Sequence, residues 1–110
     1  MRGLNKVVLS GNVGNSIKYR ETRTTGVSAC TFQLASERHY SSGRAVTVWV
    51  KINVYVSELV ELCQAHLQRG IYVLVEGELM NRDGPELKEL VEVRARDLIF
   101  PQKRETNRDG

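Results

Sequence analysis

A chain of 110 residues, 41% hydrophobic and 26% charged, has the composition of one folded domain with a single core, which excludes disorder of the whole chain. No apolar run approaches the ~18 residues of a bilayer crossing, and Met1-Arg2-Gly3-Leu4-Asn5-Lys6 leads into an alternating stretch instead of the apolar core of a secretion signal. The net charge of +3 is unevenly spread: residues 1–51 carry eight Lys or Arg against two Glu, whereas residues 52–99 carry five against nine acids. A basic half beside an acidic half suggests a surface for polyanions on one side of the fold.

Taken in chain order, residues 4–13 alternate, with Val7, Leu9, Gly11 and Val13 on one side. They predict a first strand, bent or bulged at Gly11 and Gly14. Residues 21–27 are polar and read as a loop or hairpin turn. Residues 28–36 predict a second strand with Cys30, Phe32 and Leu34 on its apolar side. Residues 40–44, Tyr-Ser-Ser-Gly-Arg, read as a flexible connection.

Residues 45–55 carry the strongest period-two signal in the chain. Val46, Val48, Val50, Ile52 and Val54 point one way, and Thr47, Trp49, Lys51, Asn53 and Tyr55 the other. Ser57 reads as an N-cap for a helix over 58–69 that turns Leu59, Leu62, Cys63, His66 and Leu67 to the core, with Gly70 as its terminator. A fourth strand over 71–80, a hairpin turn over 81–85 and a fifth strand over 88–99 follow. Val91, Val93 and Ala95 are the inward residues expected of the last strand. Pro101 ends regular structure, and residues 102–110 read as a short, polar, disordered tail.

Five strands with one α-helix between strands three and four predict an all-β domain over residues 1–101, a five-stranded OB-fold Greek-key barrel, with another small α+β roll as the alternative. In such a barrel the Val/Ile side of the third strand is dry, so Trp49, Lys51 and Tyr55 are left on the wet side. Trp49 and Tyr55 are six residues apart, roughly 20 Å along a strand. Rings on which bases stack, alternating with cations that follow the phosphates, make a surface for a single strand of nucleic acid. Tyr40 and Arg44 lie on the loop between strands two and three, with Arg38 at its base, and Arg82 lies near the 81–85 turn. Arg20 joins them as a further basic candidate.

Cys30 and Cys63 read as reduced, buried, apolar residues of a cytosolic protein. His39 is expected to be an exposed loop residue and His66 to pack on the inner stripe of the helix. No ligand spacing links the two Cys and two His, so no metal is expected, and no cofactor is implied. Phosphate-loop, dinucleotide and nucleophile motifs are missing, which argues against an enzyme. The residues alone leave two rivals to a DNA binder: an OB-fold adaptor that mainly binds proteins in a replication-restart or repair complex, and a single-stranded RNA binder.

Several segments carry a family resemblance. Asn5 to Gly14 resembles the first strand of the bacterial single-stranded DNA-binding proteins, and Phe32 to Arg38 their second. Trp49 to Tyr55 resembles the third strand, and Leu67 to Gly70 with Val73 to Leu79 the helix end and fourth strand. In order, these segments cover residues 4–100. The resemblance implies an OB barrel that assembles as a homo-oligomer, a tetramer by family habit with a dimer as the alternative. It implies sequence-independent binding and protection of single-stranded DNA in replication, repair or recombination, in the cytoplasm with its nucleoid. By position it implies stacking on Trp49, Tyr55 and Tyr40, and phosphate contacts from Lys51, Lys6, Arg69 and Arg82. Three differences stand out: no stacking aromatic follows the fourth strand, Val50 replaces the histidine common after the third-strand Trp, and the linker and acidic tip that recruit replication proteins have no counterpart. Recruitment through such a tail is therefore not assumed.

Overall fold

The computed structural model describes residues 2–24, 26–82 and 91–101. Among them are five strands and one helix: β1 (Val7–Thr22), β2 (Gly26–His39), β3 (Ala45–Val54), α1 (Ser57–His66), β4 (Tyr72–Asn81) and β5 (Val91–Ile99). The strands close into a barrel in the order β1-β2-β3-β5-β4. All neighbours are antiparallel except β3 and β5, which run parallel through Ile52↔Val93 and Asn53↔Arg94. With α1 between β3 and β4, this is the OB-fold expected from the order of elements.

Alternation fills the barrel. Phe32 and Leu34 of β2, Ile52 and Val54 of β3, Val73 and Val75 of β4, and Val93 and Ala95 of β5 are at most 1% exposed. Each larger side chain of this set contributes about 1.5–3 kcal/mol by leaving water. Cys30 and Cys63 are free and buried among them. The thiol of Cys63 is pushed well above the ordinary range by its hydrogen bond with Cys30 and by burial, and burial first and Cys30 second push the Tyr19 phenol up to about 12. The same hydrogen bond with Cys63 lowers the Cys30 thiol, and both thiols are buried.

Several expected boundaries shift. β1 does not stop at residue 13. It pairs with β4 through Val7–Asn12, then bulges between Val13 and Ile17 and continues against β2 to Thr22. Gly14-Asn15-Ser16 has turn composition but serves as that bulge, which bends one strand across two neighbours. β2 and β3 pair out to His39↔Ala45, past the last β1 partner at Ala35. Their far ends therefore form a two-stranded arm with no core beneath it, and Val48, expected inside, is 53% exposed. Asn53, expected on the wet side, is only 4% exposed.

Ser57 is the first helical residue, not the cap; the N-cap is Val56, with no side-chain hydrogen bond. The helix ends at His66, and its most buried residues are Cys63 and Val60, the latter absent from the expected stripe. Gly70 has the left-handed φ of +87° expected of it, but three residues beyond the C-cap Leu67. Its N–H donates to Val13 O at 2.7 Å and so ties the α1–β4 connection to β1. The ring of His66 lies 6.0 Å from that of Phe100, on the inner side as expected. Val91 is exposed at the start of β5, whereas Leu98 reaches the core after a register shift opposite Glu76 and Gly77. Pro101 has helical backbone. The expected turn residues 83–85, the expected strand start at 88–90 and the tail 102–110 lie outside the described residues.

At Gly77 that shift brings the Arg94 carbonyl so close that an added Cβ would overlap it, and no side-chain movement relieves a clash with backbone. Gly77→Ala is expected to lower stability by ~1–3 kcal/mol, read as a fall in Tm by circular dichroism. An unchanged Tm would show that β4 and β5 can separate there without cost.

Candidate nucleic-acid interface

The outer face of the barrel is assembled from the residues that alternation keeps out of the core. In antiparallel pairs, residues directly opposite share a face. Trp49 pairs with Ala35, Lys51 with Gln33 and Asn53 with Thr31. Thr31 in turn faces Lys18, and Ala29 faces Arg20. One continuous surface therefore carries Trp49, Lys51 and Asn53 from β3, Thr31 and Ala29 from β2, and Lys18 and Arg20 from β1. At its centre is a cavity of about 340 Å³ lined by these residues apart from Trp49, together with Tyr19, Tyr55, Met80, Arg82 and Glu92.

Trp49 is 61% exposed, the highest value of any Trp, Tyr or Phe among the described residues. Its indole reaches back over β2 to β1, where a Cβ added at Gly14 would stand 2.9 Å from Cζ3. The bare backbone of the bulge thus gives the ring a seat while its other face stays in water. Tyr55, one residue past the end of β3, is 45% exposed, and the Arg94 guanidinium lies 5.9 Å from its ring centroid. Such a contact fixes a ring without covering it on both sides.

Lys51 and Arg82 reach the same place but are not free cations. Arg82 Nε donates to Glu92 Oε2 at 2.7 Å, and Lys51 Nζ lies 3.7 Å from the same oxygen. Asn53 Nδ2 donates to Glu92 Oε1 at 2.8 Å, while the Thr31 hydroxyl donates to Asn53 Oδ1 at 3.3 Å. Burial alone would raise the pKa of Glu92, but the Asn53 and Arg82 hydrogen bonds and the charges of Lys51 and Arg82 outweigh it and hold the carboxyl below its ordinary value. Among the described residues, Lys18 and Arg20 have no ion pair.

The remaining sequence candidates fall elsewhere. Arg38 pairs with Val46, the opposite phase from Glu37, Thr47 and Trp49, so it lies on the other face of the arm. Its guanidinium sits 5.3 Å over the Tyr40 ring. Tyr40 and Arg44 close the arm's turn through Tyr40 N to Arg44 O at 2.8 Å, and Gly43 supplies the positive φ. Tyr40, Arg38 and Arg44 are thus a second patch, separate from the Trp49 row. His39 ends β2 and is exposed, 2.8 Å from Glu37. Lys6 lies on the β1–β4 side, 3.3 Å from Glu76. Arg69 is exposed beside Gly70, whose backbone bonds reach Val13 and Asn12.

Sequence reasoning missed Lys18, Arg94 and Glu92. Lys18 shares the parity of Arg20, and the signal was there once β1 is carried beyond residue 13. Arg94 alternates with the inward Val93 and Ala95. Glu92 gave no signal, because its burial depends on partners from two other strands. Among the described residues no cluster of three or more His, Cys, Asp or Glu is placed to hold a metal, and no helix is long and apolar enough to cross a membrane.

The fold and this face together define an OB barrel whose outer surface pairs exposed rings with cations. The description "Single-strand binding protein family" belongs to the family model that matches residues 4–98. The chain belongs to that family. It is 30% identical over 117 residues to the single-stranded DNA-binding protein 2 of Chlorobaculum tepidum, covering 97% of this chain and 77% of the relative. It is 37% identical over 91 residues to protein 1 of the same organism, covering 79% of this chain and 55% of the relative. A Xanthomonas campestris single-stranded DNA-binding protein is 35% identical over 82 residues, covering 71% of this chain and 46% of that one. The chain thus spans about half the length of these last two. Among solved structures, the Plasmodium falciparum SSB in complex with ssDNA matches with a TM-score of 0.74 and 29% identity, covering 91% of this chain and 96% of that one.

Because the Glu92 carboxyl is held below its ordinary value in the fold, its network contributes stability that is fully present above the unfolded glutamate pKa of about 4.3. That contribution falls away as pH drops through the lower folded value. Tm measured from pH 6 to pH 2 is expected to show this acid limb, and Glu92→Gln is expected to flatten it. A limb of equal depth in the variant would assign it to other carboxylates.

Proposed function

We propose that this chain is a non-enzymatic, sequence-independent binder of single-stranded DNA that protects exposed strands in replication, repair or recombination. Bases stack on Trp49 and Tyr55, and phosphates run along Lys18, Arg20, Lys51 and Arg82. The Tyr40, Arg38 and Arg44 patch on the arm offers a second contact for a longer strand. The observation that carries this reading is the 61% exposed indole of Trp49 in one row with Lys51 and Tyr55. An indole left in water forgoes ~2–3 kcal/mol of burial, and base stacking at ~1–3 kcal/mol per base is what such a ring offers in return. The similar proteins named for single-stranded DNA binding support the same reading. Lys6, engaged with Glu76 away from this face, is left out of the proposed path.

The functional unit is one domain over residues 1–101, and it works as a homo-oligomer in the compartment that holds the genome. Support for self-association is the outer surface of β1, β4 and β5, where Val8, Tyr72 and Ile99 are 59%, 37% and 47% exposed around the half-buried Leu74. Mass measured in solution, with and without a long oligo-dT, is expected to give a multiple of the chain mass; a monomer in both would remove this part of the reading.

The direct test is titration of Trp49 fluorescence with oligo-dT. Strong quenching is expected, weakened by salt, with matched oligo-U as competitor to rank DNA against RNA. Trp49→Ala, followed by anisotropy of a labelled strand, is expected to weaken binding by ~1–3 kcal/mol, about 5- to 150-fold. No quenching at low salt, or wild-type affinity in Trp49→Ala, would overturn the proposal.

A further inference from the structure

The central cavity holds one acid among its lining residues, Glu92, directly beneath cations that a bound strand would meet. We propose that Glu92 is a built-in counter-ion of this face: it occupies Lys51 and Arg82 in the free protein and thereby sets how steeply salt weakens nucleic-acid binding. This rests on the reading above that the face binds a single strand.

The geometry gives the acid and its cations unequal freedom. The Glu92 side chain is 7% exposed, against 33% for Lys51 and 41% for Arg82. Asn53 holds its second oxygen, and Asn53 is itself held by Thr31. The carboxylate cannot swing into water, whereas both cations keep surface that a phosphate can reach. A phosphate neutralised by an unpaired Lys or Arg sheds its own condensed counter-ion, and each such contact adds about 0.7 to the salt slope of single-strand binding. Lys51 and Arg82 are already neutralised by a carboxylate fixed on β5, so a phosphate beside them keeps part of its own counter-ion. Lys18 and Arg20, on the same cavity, have no such tether among the described residues.

A structural role for Glu92, linking β5 to β3 and to the end of β4, would move stability but not the salt slope. The test is therefore oligo-dT binding from 0.1 M to 1 M salt in the full chain, read by Trp49 fluorescence. In Glu92→Gln, which keeps side-chain shape, the slope is expected to steepen by about 0.7 to 1.4. That is about 5- to 25-fold tighter binding at 0.1 M relative to 1 M. Asn53 can turn its amide over to meet the new amide, because the Thr31 hydroxyl both donates and accepts. Glu76→Gln, which makes the same charge change beside Lys6, is expected to leave the slope at the wild-type value. Should Glu92→Gln fail to fold, two variants in the wild-type background decide the matter. Lys18→Gln is expected to lower the slope by about 0.7, and Lys51→Gln by less than half of that. An unchanged slope in a folded Glu92→Gln, equal steepening in Glu76→Gln, or equal losses from Lys18→Gln and Lys51→Gln would each overturn the proposal. A wild-type protein that does not bind oligo-dT at low salt would instead refute the functional reading, and the counter-ion role with it.

Discussion

Closure of five strands into a small barrel leaves an interior just wide enough for side chains, and every strand must divide its residues between that interior and the outer surface. The inner rows are fixed by what water excludes: Phe32 and Leu34, Ile52 and Val54, Val73 and Val75. The outer rows follow from the same alternation, so the proposed nucleic-acid face and the core are two sides of one constraint. The register of β2 against β3, with Leu34 opposite Val50 and Gln33 opposite Lys51, is where they are joined. A slip of one residue would carry Lys51 into the barrel and Ile52 into water, and the apolar cost of that exchange is what holds Trp49 and Lys51 outside.

Alternation was readable in the sequence wherever a strand has core beneath it, and it misled where the core runs out. The Val/Ile row of β3 reads as inward along its whole length. Yet Val48 stands on the arm, and periodicity reports which face a residue takes without reporting whether anything lies opposite. Val91 at the start of β5 has the same explanation. The length of β1 was hidden because Gly14-Asn15-Ser16 has the composition of a turn, whereas closure uses it as a bulge within the β1–β2 pairing, just past the last β4 partner at Asn12. Val60 was missed because the helix turns a neighbour of the expected stripe into the core.

The site divides in the same manner. Trp49, Lys51 and Tyr55 were legible together because they lie on one strand, where spacing alone decides the face. Arg38 and Tyr40 lie near them in sequence but on the far side of the arm, and only the pairing Arg38↔Val46 reveals the change of face. Lys6 resembles a phosphate contact by position, but the β1–β4 pairing sets it beside Glu76. Glu92 is least legible of all. An acid in a strand ordinarily reads as solvent-exposed, and its burial is created by Asn53 and Lys51 arriving from β3 and Arg82 from the end of β4.

On the proposed binding face, that buried carboxylate would change how charge and stacking share the work. Leaving water is costly for a carboxylate unless both oxygens are bonded and an opposite charge is near, conditions that Asn53, Arg82 and Lys51 meet together. In meeting them, the two cations are anchored to β5 from below, so their positions are defined before any strand arrives. Charges in water lose reach as ions accumulate, with a screening length of about 10 Å at 0.1 M and about 3 Å at 1 M. Stacking on an indole or phenol carries no such dependence. In the proposed binding mode, a face on which two cations already have an acid would therefore lean more heavily on its rings than a count of Lys and Arg suggests. Rings stack only on bases whose faces are free, so this weighting would favour strands whose bases are unpaired.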